Sequence, residues 1–180
     1  MDGKNEHGLT LVELMITSAI IALLVAVGIP SLSDYLENRK IRNTTASIVS
    51  GLQQARINAV KKNVPTEFTL IHNGWIIQEI NINTTPPEAI NPPVEIHSWV
   101  ETVATTSLPP SASRITFDNM GRIMNANVRD GSPPLNTVDV QSATPTAAPS
   151  LRAEADALQG IRVCAPHLFG TDDPKACRGA

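Results

Sequence analysis

The feature that most constrains the fold is an apolar run at residues 9–29, almost at the N-terminus. A helix that crosses a bilayer needs roughly 20 predominantly apolar residues, so the run is long enough to span a membrane. It contains one charged side chain, the carboxylate of Glu13. Because an ionised group in such a span costs about 3 kcal/mol, we expect a partner or a function to compensate for Glu13.

The phrase Gly8-Leu9-Thr10-Leu11-Val12-Glu13-Leu14 follows a short polar leader and resembles the start of type IV pilins and of the pseudopilins of type II secretion. The resemblance implies that a prepilin peptidase cuts after Gly8 and that the new N-terminal residue, Leu9, is N-methylated. It also implies that Glu13 pairs with the α-amine of a neighbouring subunit and so sets the register of a filament. The chain departs from the usual pattern of these proteins in two ways. The first residue after the leader is Leu9 where Phe is usual, and the leader is less basic than is typical.

Three other interpretations of this N-terminus remain. Glu13 could lie near a membrane interface and snorkel towards water. A secretory signal peptide has a core of 7 to 15 residues and a small-x-small cleavage site, but this core is longer and no such site follows Pro30. An ordinary signal anchor would explain the length but would leave the Gly8-to-Glu13 phrase as a coincidence.

We divide the chain into four predicted segments: a leader at 1–8, a transmembrane half-helix at 9–30, an amphipathic half-helix at 31–63 and a periplasmic β-rich head at 64–180. Beyond Pro30, apolar and charged residues alternate with helical spacing. Gly28 and Pro30 predict a kink or local melting. Lys61-Lys62-Asn63 followed by Pro65 predicts where the helix ends.

After Pro65 the pattern predicts short strands separated by Pro-rich loops. Asn73-Gly74 predicts a type I′ hairpin turn, because these residues readily take positive φ angles. Residues 83–93, the segment around Pro109-Pro110 and residues 130–158 are predicted to be loops, the last with one embedded strand. The predicted strands are 66–72, 75–82, 94–100, 114–117, 122–124, 137–141 and 161–164.

The phrase Ile115-Thr116-Phe117-Asp118-x-x-Gly121-Arg122, in a chain with a pilin-like leader, is similar to the GspH/FimT group of minor pilins and pseudopilins. The resemblance implies an α+β fold, in which the long N-terminal helix packs on a small antiparallel β-sandwich head. Phe117 is then expected in the core, Gly121 in a turn and Arg122 in solvent.

Cys164 and Cys177 lie near the C-terminus, on the periplasmic side if the resemblance holds, where disulfides persist. We predict that they are bonded to each other, which closes a loop worth about 3 kcal/mol in the chain-entropy picture. A metal site built from Cys164, His167 and Cys177 is the alternative, but three ligands fall short of a closed structural tetrahedron. We therefore predict no metal and no cofactor.

The chain lacks the motifs of common enzymes: it has no Gly-x-Ser-x-Gly, no phosphate-binding Gly-rich loop and no His-Glu-x-x-His. Its four histidines share no motif. The net charge of −3 and an aromatic content of 3% mean that a nucleic-acid site would have to be a local patch. We expect a structural protein and not an enzyme.

Two functions are considered. In the favoured one, the chain is a minor pilin or pseudopilin anchored in the bacterial inner membrane with a periplasmic head. It is processed by the prepilin peptidase and N-methyltransferase, then joins or primes a filament with other minor subunits and the major subunit. The choice between a type IV pilus and a type II secretion system stays open.

The second function is a DNA receptor in natural transformation, which would use a basic C-terminal patch containing Arg162 and Arg178. The match is poor, because neither arginine belongs to the Gly-Arg-x-Arg phrase of such receptors. Asp172-Asp173 would also repel phosphates nearby.

Overall fold

The computed structural model describes residues 10–90, 92–99, 103–143, 149–157, 160–168 and 173–177, with the backbone alone at 27–31 and 34. The chain divides into two compact units, with the boundary between Leu36 and Glu37. The elements are α1 (Leu11–Lys62), β1 (Thr66–Ile71), β2 (Gly74–Asn81), β3 (Glu88–Ala89), β4 (Glu95–Ser98), β5 (Val103–Leu108), β6 (Arg114–Phe117), β7 (Thr137–Ser142), β8 (Leu151–Asp156), β9 (Gly160–Cys164) and a 3₁₀ turn, Pro166–Leu168.

The first unit contains the N-terminal part of α1. Its large apolar side chains between Leu11 and Val25 are exposed within the chain. The helix continues through Gly28 and Pro30 without a break, so the predicted local melting is not observed; one missing hydrogen bond does not end a long helix. Among the residues described, no helix combines the length and the apolar character that a bilayer span requires.

In the second unit, the remainder of α1 buries one stripe of side chains. Ile41, Ile48, Leu52, Ala55 and Ala59 recur at intervals of three, four and seven residues and are almost fully buried, as expected for one face of a helix. The helix ends at Lys62, and the next residue has a φ of 54°. The predicted end of the helix is therefore confirmed.

Two antiparallel sheets complete this unit. The first has the order β3-β2-β1-β6, with β4 also paired to β2, and the second has the order β5-β7-β8-β9. Both sheets and α1 contribute side chains to one core, for example Phe68, Ile115, Val138 and Ala153. The predicted α+β class, a long helix followed by an antiparallel head, is confirmed.

The first hairpin is present, but its turn differs from the prediction. Ile71 pairs with Gly74, so the turn consists of His72 and Asn73 and lies one residue earlier. Neither Asn73 nor Gly74 is among the described residues with a positive φ, and the type I′ prediction is wrong. A Cβ at Gly74 would lie 2.0 Å from the carbonyl oxygen of His97, so glycine is needed there because β4 approaches closely.

Three strands lie in segments that were predicted to be loops. β3 lies within 83–93, β5 runs up to Pro109 in the segment around Pro109-Pro110, and β8 lies within the Ala-rich segment 130–158. The inward-facing residues of β8 are Ala153 and Ala155, which are too small to give an apolar pattern in the sequence. Conversely, residues 122–124 form no strand, because Ile123 makes only a single bridge to Phe117.

Candidate functional site

The start of α1 places Glu13 at the third helical position after Thr10. The Thr10 hydroxyl oxygen accepts a hydrogen bond from the Glu13 N–H at 3.2 Å, and the Glu13 Oε2 accepts one from the Thr10 N–H at 3.4 Å. This reciprocal pair is a capping box, which satisfies donors that a helix start leaves open. The Thr-x-x-Glu pattern could have been recognised in the sequence but was missed. Gly8 and Leu9 lie outside the described residues, so their processing stays a prediction.

The surface around Glu13 is apolar. Leu11, Val12, Leu14 and Met15 are each more than half exposed in the chain. Contiguous exposed apolar surface of this kind marks a site of interaction with protein or membrane. Glu13 is therefore a single carboxylate in a region that other molecules are expected to cover.

The phrase that ends in Gly121-Arg122 forms a turn held by Asp118. Its carboxylate accepts hydrogen bonds from the Met120 N–H at 2.9 Å, the Arg122 N–H at 2.8 Å and the Arg122 Nε at 2.8 Å. Partial burial raises the pKa of Asp118, but the bonds from Arg122 and Met120 outweigh it, and the pKa is lowered. Gly121 has a φ of 75°, a conformation that favours glycine.

This turn abuts α1 directly. A Cβ on Gly121 would lie 2.9 Å from Val60 Cγ2, so the absent side chain allows the close approach. Phe117 is buried in the core, as predicted, while the Arg122 side chain is 72% exposed. The motif is therefore a structural turn packed on the helix, and its arginine is exposed as predicted.

Arg162, the described member of the predicted DNA patch, is engaged by Glu154 on the adjacent strand. Its Nε and Nη2 donate to Glu154 Oε2 at 2.9 and 2.6 Å. A guanidinium held by a buried carboxylate is a poor phosphate ligand, because binding a phosphate would leave that carboxylate unpaired. Arg178 lies outside the described residues.

A second arginine–carboxylate ion pair lies beside this one on the same sheet. Arg152 donates to both carboxylate oxygens of Asp139 at 2.6 and 2.8 Å. These hydrogen bonds raise the pKa of Arg152 despite its partial burial. The two pairs link β7, β8 and β9 through their side chains.

Cys164 and Cys177 form the predicted disulfide, with an S–S distance of 2.06 Å. The tail returns alongside β9, where the Ala165 N–H donates to the Lys175 carbonyl at 2.8 Å. Ligand atoms of Glu154, Cys164 and Cys177 lie within 4.8 Å of one another, and His167 is not part of this group. Because both sulfurs are consumed in the bond, they do not provide the thiolates that a metal would need.

A second buried carboxylate, Glu67 on β1, was not identified from the sequence. Its side chain is fully buried, and its Oε1 accepts a hydrogen bond from Arg129 Nη1 at 3.0 Å. Arg114, which also binds Asp130, lies 3.8 Å from the same oxygen. This cluster joins the loop after β6 to the first sheet, and its members are distant in sequence, so no local pattern indicates it.

A cavity of about 710 Å³ lies beside β7 and β8, with Asn136, Thr137, Glu154 and Asp156 among its polar lining residues. Two charged side chains of the lining are already engaged, Glu154 by Arg162 and Arg152 by Asp139. These two groups are therefore occupied by ion pairs within the second sheet.

Comparison with protein families gave two matches. Residues 44–149 match the family described as type II transport protein GspH. Residues 3–29 match the prokaryotic N-terminal methylation motif. A search of curated protein sequences found no match.

Solved structures with a similar fold include two crystal forms of the type IV minor pilin FimU from Pseudomonas aeruginosa. The first has a TM-score of 0.54 and 13% identity, covering 72% of this chain and 91% of that one. The second has a TM-score of 0.50 and 12% identity, covering 68% and 90%. The minor pseudopilin EpsH of the Vibrio cholerae type 2 secretion system has a TM-score of 0.53 and 11% identity, covering 71% and 98%. At these identities the likeness concerns the fold.

Proposed function

The chain belongs to the type II transport protein GspH family, and on this premise we propose that prepilin peptidase cleaves it after Gly8 and that Leu9 is then N-methylated. Members of this family are minor pilins or pseudopilins, structural components of a type IV pilus or a type II secretion system. The N-terminal methylation motif implies processing by a prepilin peptidase and assembly with other subunits.

The observation that carries the proposed cleavage position is the methylation motif at residues 3–29, which includes Gly8 and Glu13. Cleavage after Gly8 leaves an α-amine, with an ordinary pKa near 8, one residue before the N-cap Thr10. A cation is disfavoured at a helix N-terminus because the helix dipole is positive there. A carboxylate at Glu13 offsets this charge, which supports its pairing with an α-amine in the assembled filament.

We further propose that residues 9–30 lie in the inner membrane and that residues 64–180 form a periplasmic head. The exposed apolar side chains between Leu11 and Val25 support the first part. The Cys164–Cys177 disulfide supports the second, because disulfides persist in the periplasm and are rare in the cytoplasm.

Co-expression of the full chain with a prepilin peptidase tests the cleavage position. Mass spectrometry of the purified product should show loss of residues 1–8 and the gain of one methyl group at Leu9. Gly8→Ala should abolish both changes, whereas the control Gly3→Ala should leave both intact. An unprocessed chain in the presence of an active peptidase would contradict the proposal.

The role of Glu13 is tested separately, in cells that assemble the filament. Glu13→Leu should be cleaved but should be lost from the sheared filament fraction, because no carboxylate remains to receive the α-amine. Thr17→Leu, a matched change to leucine on the same exposed helix, should be incorporated as the parent is. Equal incorporation of the Glu13 variant would refute the pairing.

A further inference from the structure

The part of α1 in the second unit is unusual in its charge. Between residues 38 and 62 it contains basic residues and no acidic residue, although the whole chain has a net charge of −3. These basic residues are Arg39, Lys40, Arg42, Arg56, Lys61 and Lys62. Lys62 binds Glu79 on β2. Lys40, Arg42, Arg56 and Lys61 are exposed and form no ion pair with any residue that the structure describes.

The arginines that the structure describes after α1 behave differently, because each one is bound by a carboxylate of the same unit. The pairs are Arg114–Asp130, Arg122–Asp118, Arg129–Glu67, Arg152–Asp139 and Arg162–Glu154. The head therefore neutralises the arginines that the structure describes in it. On the helix, Lys40, Arg42, Arg56 and Lys61 have no such partner among the described residues and are left available.

Two of these available cations flank an apolar strip. Gln53, Arg56, Ile57, Val60 and Lys61 are spaced by one helical turn and share one face of α1. They line a shallow groove of about 650 Å³, called here the stem groove. Ile57 is 55% exposed and Val60 is 52% exposed. An apolar centre with a charged rim is the usual composition of a protein interface.

We propose that the stem groove docks a neighbouring filament subunit that presents an aliphatic side chain flanked by carboxylates. The inference rests on the proposed function, since that function supplies the neighbouring subunit. Charge complementarity selects the carboxylates, because Arg56 and Lys61 lack acidic partners within the described chain. The aliphatic side chains of Ile57 and Val60 favour an aliphatic group on the partner. They do not favour a nucleic-acid strand, because proteins bind such strands with aromatic side chains in cationic grooves.

The test uses the full chain with a photo-crosslinking amino acid at position 57, in cells that assemble the filament. Mass spectrometry should identify a different filament subunit, cross-linked within a segment that contains Asp or Glu. The double variant Arg56→Glu/Lys61→Glu should lower the yield about tenfold. Reversal turns a weak attraction into a repulsion at two exposed positions, and a tenfold loss of yield corresponds to about 1.4 kcal/mol.

Arg42→Glu is the matched control. Arg42 is also exposed and has no ion pair with a described residue, but it lies about 21 Å from Arg56 along the helix, at about 1.5 Å per residue. Reversing the charge of Arg42 should change the cross-link yield less than about twofold, because this residue lies outside the stem groove. The neutral variant Arg56→Gln/Lys61→Gln should give an intermediate cross-link yield. Because it adds no acidic residue, its loss of yield cannot come from a folding defect caused by new carboxylates.

Four outcomes would overturn the inference. They are the absence of a cross-link to any other filament subunit, a product that nuclease removes, a product made only of two copies of this chain, and equal yields from the Arg42 and Arg56/Lys61 reversals. Leader removal and presence in the sheared filament are measured in the same cells. If both are normal and the cross-link is missing, only the stem groove proposal fails; if the leader is retained, the proposed function fails with it.

Discussion

Gly51 lies inside α1 at a position where helix propensity and packing give opposite predictions for alanine. In an exposed helix interior, Gly→Ala stabilises a protein by about 1 kcal/mol. Here the added Cβ would lie 2.7 Å from Trp75 Cε2 and 2.8 Å from Phe68 Cε2, whereas carbon atoms in contact are ordinarily about 3.5–4.0 Å apart. Trp75 is 3% exposed and Phe68 is 0% exposed, so neither ring can retreat into solvent.

We therefore expect packing to dominate. Overpacking of a filled core costs about 1–3 kcal/mol, and contacts as short as 2.7 and 2.8 Å with two buried rings place Gly51 in the upper part of that range, at about 2–3 kcal/mol. The gain in helix propensity offsets about 1 kcal/mol, so Gly51→Ala should lower the free energy of unfolding by about 1–2 kcal/mol. Urea denaturation of residues 37–180, which form one compact unit, measures the change. Far-ultraviolet circular dichroism is the suitable signal, because the substitution itself touches Trp75.

Ser50→Ala is the matched control for this experiment. Ser50 is the exposed neighbour of Gly51 in the same helix, so alanine adds no clash and should raise the free energy of unfolding by about 0.5 kcal/mol. If Gly51→Ala were as stable as the parent or more stable, the aromatic rings would have to move freely, and the reasoning from close packing would be refuted.

Three further predictions concern the head. Replacing Cys164 and Cys177 with serine should lower the free energy of unfolding by about 3 kcal/mol; urea denaturation measures it, and the parent in reductant should show the same loss. Arg162→Ala should cost about 2–4 kcal/mol, because it leaves the buried Glu154 carboxylate unpaired. The exposed Arg122→Ala should cost at most about 1 kcal/mol, and similar losses in the same assay would contradict this ranking. Because the pKa of Asp118 is lower in the folded state, its contribution to stability is complete above the unfolded pKa and declines as the pH falls through the folded pKa. Unfolding measured below about pH 4 should show that Asp118→Asn flattens this decline, and an unchanged decline would exclude the mechanism.

The elements predicted correctly from the sequence are those that neighbouring residues determine. The helix end after Lys62 and the turn at Gly121 depend on local backbone preferences, whereas the first hairpin was predicted in the right region but with the wrong turn. β8 could not be predicted in this way, because Ala153 and Ala155 have the composition of a loop. They become buried strand residues only when β7 and β9 pair with them, since strand preference depends strongly on neighbours.

The charged contacts also divide into those that local sequence indicates and those that only the folded chain brings together. Thr10 and Glu13 are three residues apart, so their capping contacts could be predicted from the sequence. Arg129 and Glu67 are 62 residues apart, and no local spacing indicates that the folded chain brings them together. Glu13 was singled out because it lies in an apolar run, but its contacts with Thr10 were not predicted.

The capping contacts at the start of α1 mean that Glu13 has hydrogen-bond donors before any assembly begins. The carboxylate accepts from the Thr10 N–H at 3.4 Å and from the Thr10 hydroxyl at 3.5 Å. Both bonds are longer than is usual for their type, so little is lost when the carboxylate turns to a cationic amine. On the proposed pairing, recruitment of a subunit therefore replaces two long hydrogen bonds from neutral donors with a shorter, charge-assisted one, and the same carboxylate serves first the isolated helix and then the contact between subunits.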